Sequence, residues 1–244
     1  MSEEEQEAFT YSARNADSYS SYENVLPKRL LEKFEIYSYR NAASILSGSF
    51  PEQLHDIIRA LEAFSITTGM IRQPGGSKGP IAKYVDTLFQ SDWRETRITA
   101  DLYVKLLDAK KKNEVLSEYI RKGHLDGHRI DFLKGRVALD LEWNSKDQTY
   151  DRDLSACAAF YEAGAIDVGI VLTRGNSLDT PFFKSLGNVL KKDGTEGDEA
   201  VFKKFGASTT WMGKLLYRLD AGRNGGCPIL AIGITQKCIQ DVGV

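Results

Sequence analysis

The sequence predicts an α/β protein in which helices flank a central mixed β-sheet, with further helical elements ahead of it. Three observations carry that expectation. Val137-Ala-Leu-Asp-Leu-Glu142 alternates apolar side chains with Ala138, Asp140 and Glu142, the period of a strand with two different faces. Residues 166–173 form a largely apolar run of strand length, which suits a strand covered on both faces. Between the two, residues 149–162 read as a helix with Leu154, Cys157, Ala158 and Tyr161 on one side, capped by Thr149 or Asp151 and closed by Gly164. Strand, helix, strand makes a βαβ unit, whose strands run parallel.

The rest of the chain is arranged around that unit. Residues 1–22 are polar and show little periodicity, so they are expected to dock loosely. A helix is expected over residues 28–46 after Pro27, with Leu30, Leu31, Phe34, Ile36 and Tyr37 as its stripe. Ser47 to Pro51 breaks it; Ser49 then caps a helix running to about residue 64, with His55 near its surface. Residues 73–80, Gln-Pro-Gly-Gly-Ser-Lys-Gly-Pro, lack P-loop spacing. They are either a solvated connector or a mobile loop that closes on a ligand with Lys78 near phosphate. A short helix is expected over residues 81–89.

Residues 96–107 alternate like a strand, Lys110-Lys-Lys112 marks a wet turn, and residues 113–121 read as a helix. Residues 144–150 form a polar loop after the acid-bearing strand. Residues 175–205 read as an excursion with a short helix near 181–186. A helix opened by Ser208-Thr-Thr210 follows, then an apolar strand over residues 228–234.

With 244 residues, 42% hydrophobic and 27% charged, the chain fits one soluble globular domain. Its parts are an N-terminal helical portion (1–72), a mobile loop and helix (73–93) and a core (96–244). No apolar run approaches the roughly 20 residues of a membrane span, and the acidic start is not a signal peptide. Cys157, Cys227 and Cys238 are expected as reduced, buried thiols, so a cytoplasmic protein is expected. A net charge of −2 argues against a coating-type nucleic-acid binder but not against a nuclease, whose DNA contacts are confined to a cleft. The three histidines form no metal-binding pattern.

The chemistry concentrates in residues 129–143. Asp140 and Glu142 share a strand face, and a turn at Lys134-Gly135 folds Asp131 back beside them. Converging carboxylates repel unless a cation sits among them, and Mg²⁺ takes oxygen ligands. A metal held by Asp131, Asp140 and the carbonyl of Leu141 would suit phosphodiester hydrolysis. Glu142 would then bind metal or orient the attacking water as a general base. The spacing alone leaves open that Asp140 and Glu142 simply line a solvent face.

Asp131-x8-Asp140-x-Glu142 resembles the PD-(D/E)XK nuclease motif, in the variant without lysine found in type II restriction endonucleases of the BglII, BstYI and BamHI group. Residues 130–138 resemble that group's active-site hairpin, residues 165–172 its next strand, residues 208–233 its late helix and strand, and residues 75–93 its mobile lever. The group carries Glu, then Gln or Glu, where this chain has Asp140 and Glu142. The resemblance implies a PD-(D/E)XK restriction-endonuclease-like core with Asp131, Asp140 and Glu142 as its catalytic set. It also implies a further acid upstream, for which Glu114 and Glu118 are the candidates.

For DNA contact it implies Asn144, Ser145 and Lys146 after the catalytic strand, and Ser208, Thr209, Thr210 and Lys214 at the late helix, with Lys78 and Arg152 as lesser candidates. Ser208 reads equally well as a plain N-cap. The implied activity is Mg²⁺-dependent cleavage (Mn²⁺ substituting) of double-stranded DNA at a short palindrome, leaving 5′ overhangs. A homodimer and a cognate DNA methyltransferase would accompany it. The alternatives are a structure-specific or repair nuclease on the same core, or a non-catalytic DNA-binding protein.

Overall fold

Alternation in β-branched and aromatic runs sets the sheet. In the computed structural model, which describes residues 13–74, 78–89 and 92–241, six strands pair in the order β1-β8-β5-β4-β3-β2. These are β1 (Phe34–Tyr39), β2 (Arg94–Asp108), β3 (Glu114–Lys134), β4 (Val137–Glu142), β5 (Val168–Arg174) and β8 (Ile229–Ile234). A separate hairpin, β6 (Asn188–Leu190) with β7 (Glu196–Ala200), lies in the excursion. Strands β4, β5 and β8 run parallel; β1, β2 and β3 join antiparallel, so the sheet is mixed as expected.

The helices are α1 (Lys28–Lys33), α2 (Ala42–Ser49), α3 (Pro51–Ala63), α4 (Thr68–Arg72), α5 (Pro80–Leu88), α6 (Thr149–Glu162), α7 (Thr180–Ser185) and α8 (Met212–Asp220). The period of two in β4 divides the core. Val137 and Leu139 join Leu46, Ile57, Leu61 and Val85 on the face of the N-terminal helices. Ala138 joins Leu154, Phe160, Leu215 and Leu216 of α6 and α8 on the other. Asp140 and Glu142 therefore point under α6, and both are buried rather than on a wet face.

Three expectations fail for physical reasons. The helix over residues 28–46 is broken: after α1 the chain extends as β1, with burial alternating along Phe34, Ile36 and Ser38. Arg40 and Asn41 then take left-handed backbone (φ 54° and 61°) and turn directly into α2. Ser49 ends α2 and caps nothing; Phe50 is the N-cap of α3.

Residues 113–121 are not helical. Lys112 and Asn113 have φ of 52° and 64°, the backbone of a tight hairpin turn. Residues 114–121 go straight into β3, where Tyr119 and Ile120 pair with Val104 and Tyr103. Lastly, Ser208 to Thr210 do not open the late helix, because Trp211 is the N-cap of α8.

The expected loop at residues 73–80 keeps Gln73, Pro74, Lys78, Gly79 and Pro80 in view, while Gly75 to Ser77 lie outside the described residues, as do residues 1–12 of the expected loose start. Cys157, Cys227 and Cys238 are buried free thiols, as expected. None of the described helices is long and apolar enough to cross a membrane.

Candidate active site

The turn at Lys134–Gly135 folds β3 back on β4, and Phe132 pairs with Leu139. One step beyond that pair, Asp131 and Asp140 lie opposite one another. Here side chains replace the backbone ladder: Asp131 N donates to Asp140 Oδ1 (2.9 Å), and Leu141 N donates to Asp131 Oδ2 (3.0 Å). Asp131 Oδ1 and Asp140 Oδ2 take no hydrogen bond among the described residues. Each acid thus has one oxygen fixed by the fold and one available.

A bulge helps aim the pair. Between Arg94↔Leu133 and Thr96↔Ile130, β3 advances one residue more than β2, and Asp131 lies in that gap opposite Glu95. Bulges of this kind re-aim a side chain beside functional sites.

Asp140 and Glu142 are 5% and 7% exposed, and Asp153 of α6 is 2% exposed. Burial, with Asp131 and Glu142 nearby, pushes the Asp140 carboxyl up to about 7. Asp131 is pushed up by lost hydration and by the charges of Glu142, Glu95 and Asp86. Burial, with the charges of Glu142 and Asp140 nearby, pushes the Asp153 carboxyl up, against the pull of Arg152. Glu142 is held by Thr149, whose Oγ1 lies 3.1 Å from Glu142 Oε2.

Sequence reasoning missed Asp153. Its role arises from α6 packing across β4, which no local spacing reveals.

Glu142 faces Thr149 and Asp153 rather than closing a tight three-acid cage. Among the described residues, the one trio of acids with oxygens within 4.8 Å of each other is Glu52, Asp56 and Asp92. That trio already contains a cation. Lys134 Nζ lies 2.6 Å from Glu52, 2.8 Å from Asp56 and 2.7 Å from Asp92. The Trp93 indole also donates to Asp56 (3.1 Å). These acids hold α3 and the 92–93 segment to the catalytic hairpin, and their charge is met. Asp131 and Asp140 pair with no lysine or arginine among the described residues, and two carboxylates are a donor set that a hard cation such as Mg²⁺, which keeps several waters and needs few protein ligands, could use.

The expected upstream acids lie elsewhere. Glu118 pairs with Lys105 (3.2 Å) and Glu114 with Lys111 (3.7 Å), far along β3 from the site. Thirteen residues of strand from Glu118 to Asp131 span roughly 40 Å, which removes both. Glu95, on the neighbouring strand and paired with Arg129 (3.0 Å), and Asp86 of α5 are upstream acids that reach Asp131 electrostatically.

The two expected DNA-facing segments meet. Lys146 bridges Thr209, Thr210 N donates to Ser145 O (2.9 Å), and Asp147 N donates to Ser208 O (2.9 Å). Arg174, at the end of β5, fastens them from beneath. Its Nε donates to Thr210 O (2.9 Å), its Nη2 to Thr209 Oγ1 (2.6 Å), and its guanidinium packs on Phe183 and Phe205.

Not all of the expected contact residues are available. Thr210 is fully buried and donates to Glu142 O, Thr209 donates to Gly206 O, and Lys214 is held by Asp147 (2.8 Å). Ser208 and Lys146 are exposed. Asn144 has a buried Oδ1 without a partner and, with Trp143 and Ser145, lines a cavity of about 210 Å³ against Ile81 and Phe205. Lys78 pairs with Asp86 (2.5 Å) on α5, and Arg152 with Asp153 (3.0 Å).

A protein-family model described as restriction endonuclease BglII/BglIII matches residues 34–234, from β1 through β8. Comparison with curated proteins gives no match.

Proposed function

The chain belongs to the restriction endonuclease BglII/BglIII family, and from that premise we propose how it acts on DNA. It is a type II restriction endonuclease, a site-specific deoxyribonuclease acting on double-stranded DNA. In our reading the reaction depends on Mg²⁺, with Mn²⁺ able to substitute, and is centred on the Asp131–Asp140 pair. The observation that carries this is the ladder end itself. Two facing carboxylates each keep one oxygen without a hydrogen bond among the described residues, with the buried acids Glu142 and Asp153 nearby.

Asp131, Asp140 and the carbonyl of Leu141 would hold the ion. When bound, it withdraws charge from the scissile phosphate and makes an attacking water more acidic. Asp140, raised toward neutrality, is readily ionised by a nearby positive charge. Glu142, steadied by the Thr149 hydroxyl, orients the water and accepts its proton.

Asn144, Ser145, Lys146 and Ser208 meet the DNA, Lys146 at phosphate and Asn144 through its unpartnered amide. Thr209, Thr210 and Lys214 support that surface from within. Lys78 leaves Asp86 to reach a phosphate when the 73–93 segment closes. Two copies related by a two-fold axis cut a six-base palindrome with 5′ overhangs, alongside a methyltransferase that protects the host's own sites.

Digestion of a long unmethylated DNA with Mg²⁺, followed by mapping of fragment ends, tests the reading. Discrete fragments with a common palindromic end are expected. Smearing, cutting only at junctions, or normal cutting by Asp140→Ala would refute it.

A further inference from the structure

The parallel ladder between β4 and β5 runs out at Glu142↔Thr173, and side chains finish the carbonyl there. Thr173 Oγ1 donates to Glu142 O at 2.7 Å, and Thr210 Oγ1 donates to the same oxygen at 3.2 Å. Two hydroxyls thus fill both lone pairs of one peptide oxygen. They come from different places. Thr173 belongs to β5 and is backed inside the core by Tyr150, whose hydroxyl lies 2.6 Å away. Thr210 belongs to the late segment, two residues from exposed Ser208.

Thr210 is itself fully engaged with its surroundings. Its N–H donates to Ser145 O (2.9 Å), and its carbonyl accepts from Arg174 Nε (2.9 Å). With Asp147 N on Ser208 O (2.9 Å) and the bridge between Lys146 and Thr209, residues 145–147 and 208–210 form one laced block. The block carries the exposed residues Lys146 and Ser208. It also meets the Glu142 side chain. Thr149 Oγ1 lies 2.8 Å from Lys146 O and 3.1 Å from Glu142 Oε2, and its single proton serves one of them at a time.

The two bonds to the Glu142 carbonyl are unequal. The one from Thr173 has the usual length for a hydroxyl donor; the one from Thr210 is longer than the usual 2.5–3.0 Å and has room to tighten. Thr173 alone satisfies that oxygen, so the fold does not need a second donor there. A valine would fill the same space.

We propose that Thr210 is a positioning residue: when the block seats on DNA, its hydroxyl is drawn onto the Glu142 carbonyl and sets the end of β4 for cleavage. The inference rests on the DNA contacts and catalytic set of the proposed function and deepens them. It places rejection of a wrong base in the cleavage step. A duplex whose bases do not seat the block is still held through its phosphates, while Glu142 stays slack.

Amide hydrogen exchange in Mg²⁺-free buffer tests the link without cleavage, with sheared genomic DNA as the probe. Thr210→Val keeps the volume and removes the hydroxyl; Thr210→Ser keeps the hydroxyl. DNA is expected to slow exchange of residues 141–145 roughly fivefold in the wild type and in Thr210→Ser, and to leave it unchanged in Thr210→Val. Single-turnover cleavage with Mg²⁺ at saturating DNA is the second readout. Thr210→Val should cut roughly 10²-fold more slowly at an unchanged Kd. It should also discriminate less between the mapped site and its one-base variants, and Thr210→Ser should restore both.

Equal protection by DNA in the wild type and in Thr210→Val would overturn the proposal. So would a Thr210→Val enzyme with wild-type rate and discrimination, or one whose Kd rises in step with the lost rate. The nuclease reading fails differently. A wild type that shows protection dependent on Thr210 but never cuts DNA refutes that reading and leaves the link standing; a wild type that binds no DNA refutes both.

Discussion

Two groups of acids lie on either side of the same hairpin, and they differ in one respect. Glu52, Asp56 and Asp92 surround the ammonium of Lys134. Among the described residues no lysine or arginine pairs with Asp131, Asp140 or Glu142, and Arg152 pairs with Asp153 (3.0 Å). Proximity of carboxylates is greater in the first group, which is the one that closes to metal-ligand spacing. Its contents nonetheless make it structural. The second is looser, with Asp140, Glu142 and Asp153 buried and the carboxyls of Asp131, Asp140 and Asp153 pushed up by lost hydration and neighbouring acids. The difference teaches that unmet charge, more than short oxygen–oxygen distance, distinguishes a site from a staple.

The comparison breaks most readily at the proposed catalytic pair, Asp131 and Asp140. Asp131→Ala and Asp140→Ala are each expected to reduce cleavage by at least ~10³-fold while leaving DNA binding in place, measured by single-turnover digestion and by gel shift without metal. Chelation of divalent ions should do the same to the wild type. An Asp56→Asn variant that loses cleavage equally would erase the distinction between the two groups.

The next largest effect falls on the staple. Lys134→Met leaves buried Asp56 with Arg59 (3.0 Å) as its remaining counter-ion and should cost roughly 1–3 kcal/mol in urea unfolding. Mg²⁺ should not restore that loss.

A smaller effect separates the groups by the sign of their pH response. Asp140 is raised to about 7 in the fold from its ordinary value near 4. Folding therefore takes up a proton between those values, and the metal-free protein loses stability as pH rises through that window. Asp140→Asn should remove the loss and stabilise the metal-free protein at pH 8 by on the order of 1–3 kcal/mol. Asp56 is shifted the other way, below its ordinary value, despite burial, by the hydrogen bonds and charge of Lys134 and by Trp93. The stabilisation it gives is present above pH 4 and disappears only on further acidification. Thermal melts from pH 8 down to below pH 4 read both signs; a wild type that gains stability toward pH 8 without metal contradicts the assignment.

The smallest effect is at the DNA surface. Lys146→Ala should weaken binding only several-fold and lower the salt slope by about one, since Lys146 is exposed and outside both acid groups.

What the sequence disclosed follows from how local each feature is. The βαβ unit was legible because β4 alternates, β5 is uniformly apolar and α6 carries its stripe within one short window. Asp131, Asp140 and Glu142 were legible because one strand and one turn bring them together. The β2–β3 hairpin was misread because Val115, Leu116, Tyr119 and Ile120 lie at helical as well as strand spacings, and only pairing with β2 selects the strand. Strand β1 was lost for the same reason, since its partner β8 lies about 190 residues away in sequence. Asp153, Glu95 and Arg174 owe their roles to contacts between distant elements and left no local signal.

The lacing of residues 145–147 to residues 208–210 bears on any attempt to retarget this enzyme. Of the late segment, Ser208 alone presents an exposed side chain; Thr209 and Thr210 are fastenings for Arg174, Gly206 and the catalytic strand itself. Libraries that randomise all three positions would mostly sample unseated loops. Diversity placed at the proposed DNA-facing positions Asn144, Lys146 and Ser208, with the fastenings kept, would vary that surface and leave its mount intact.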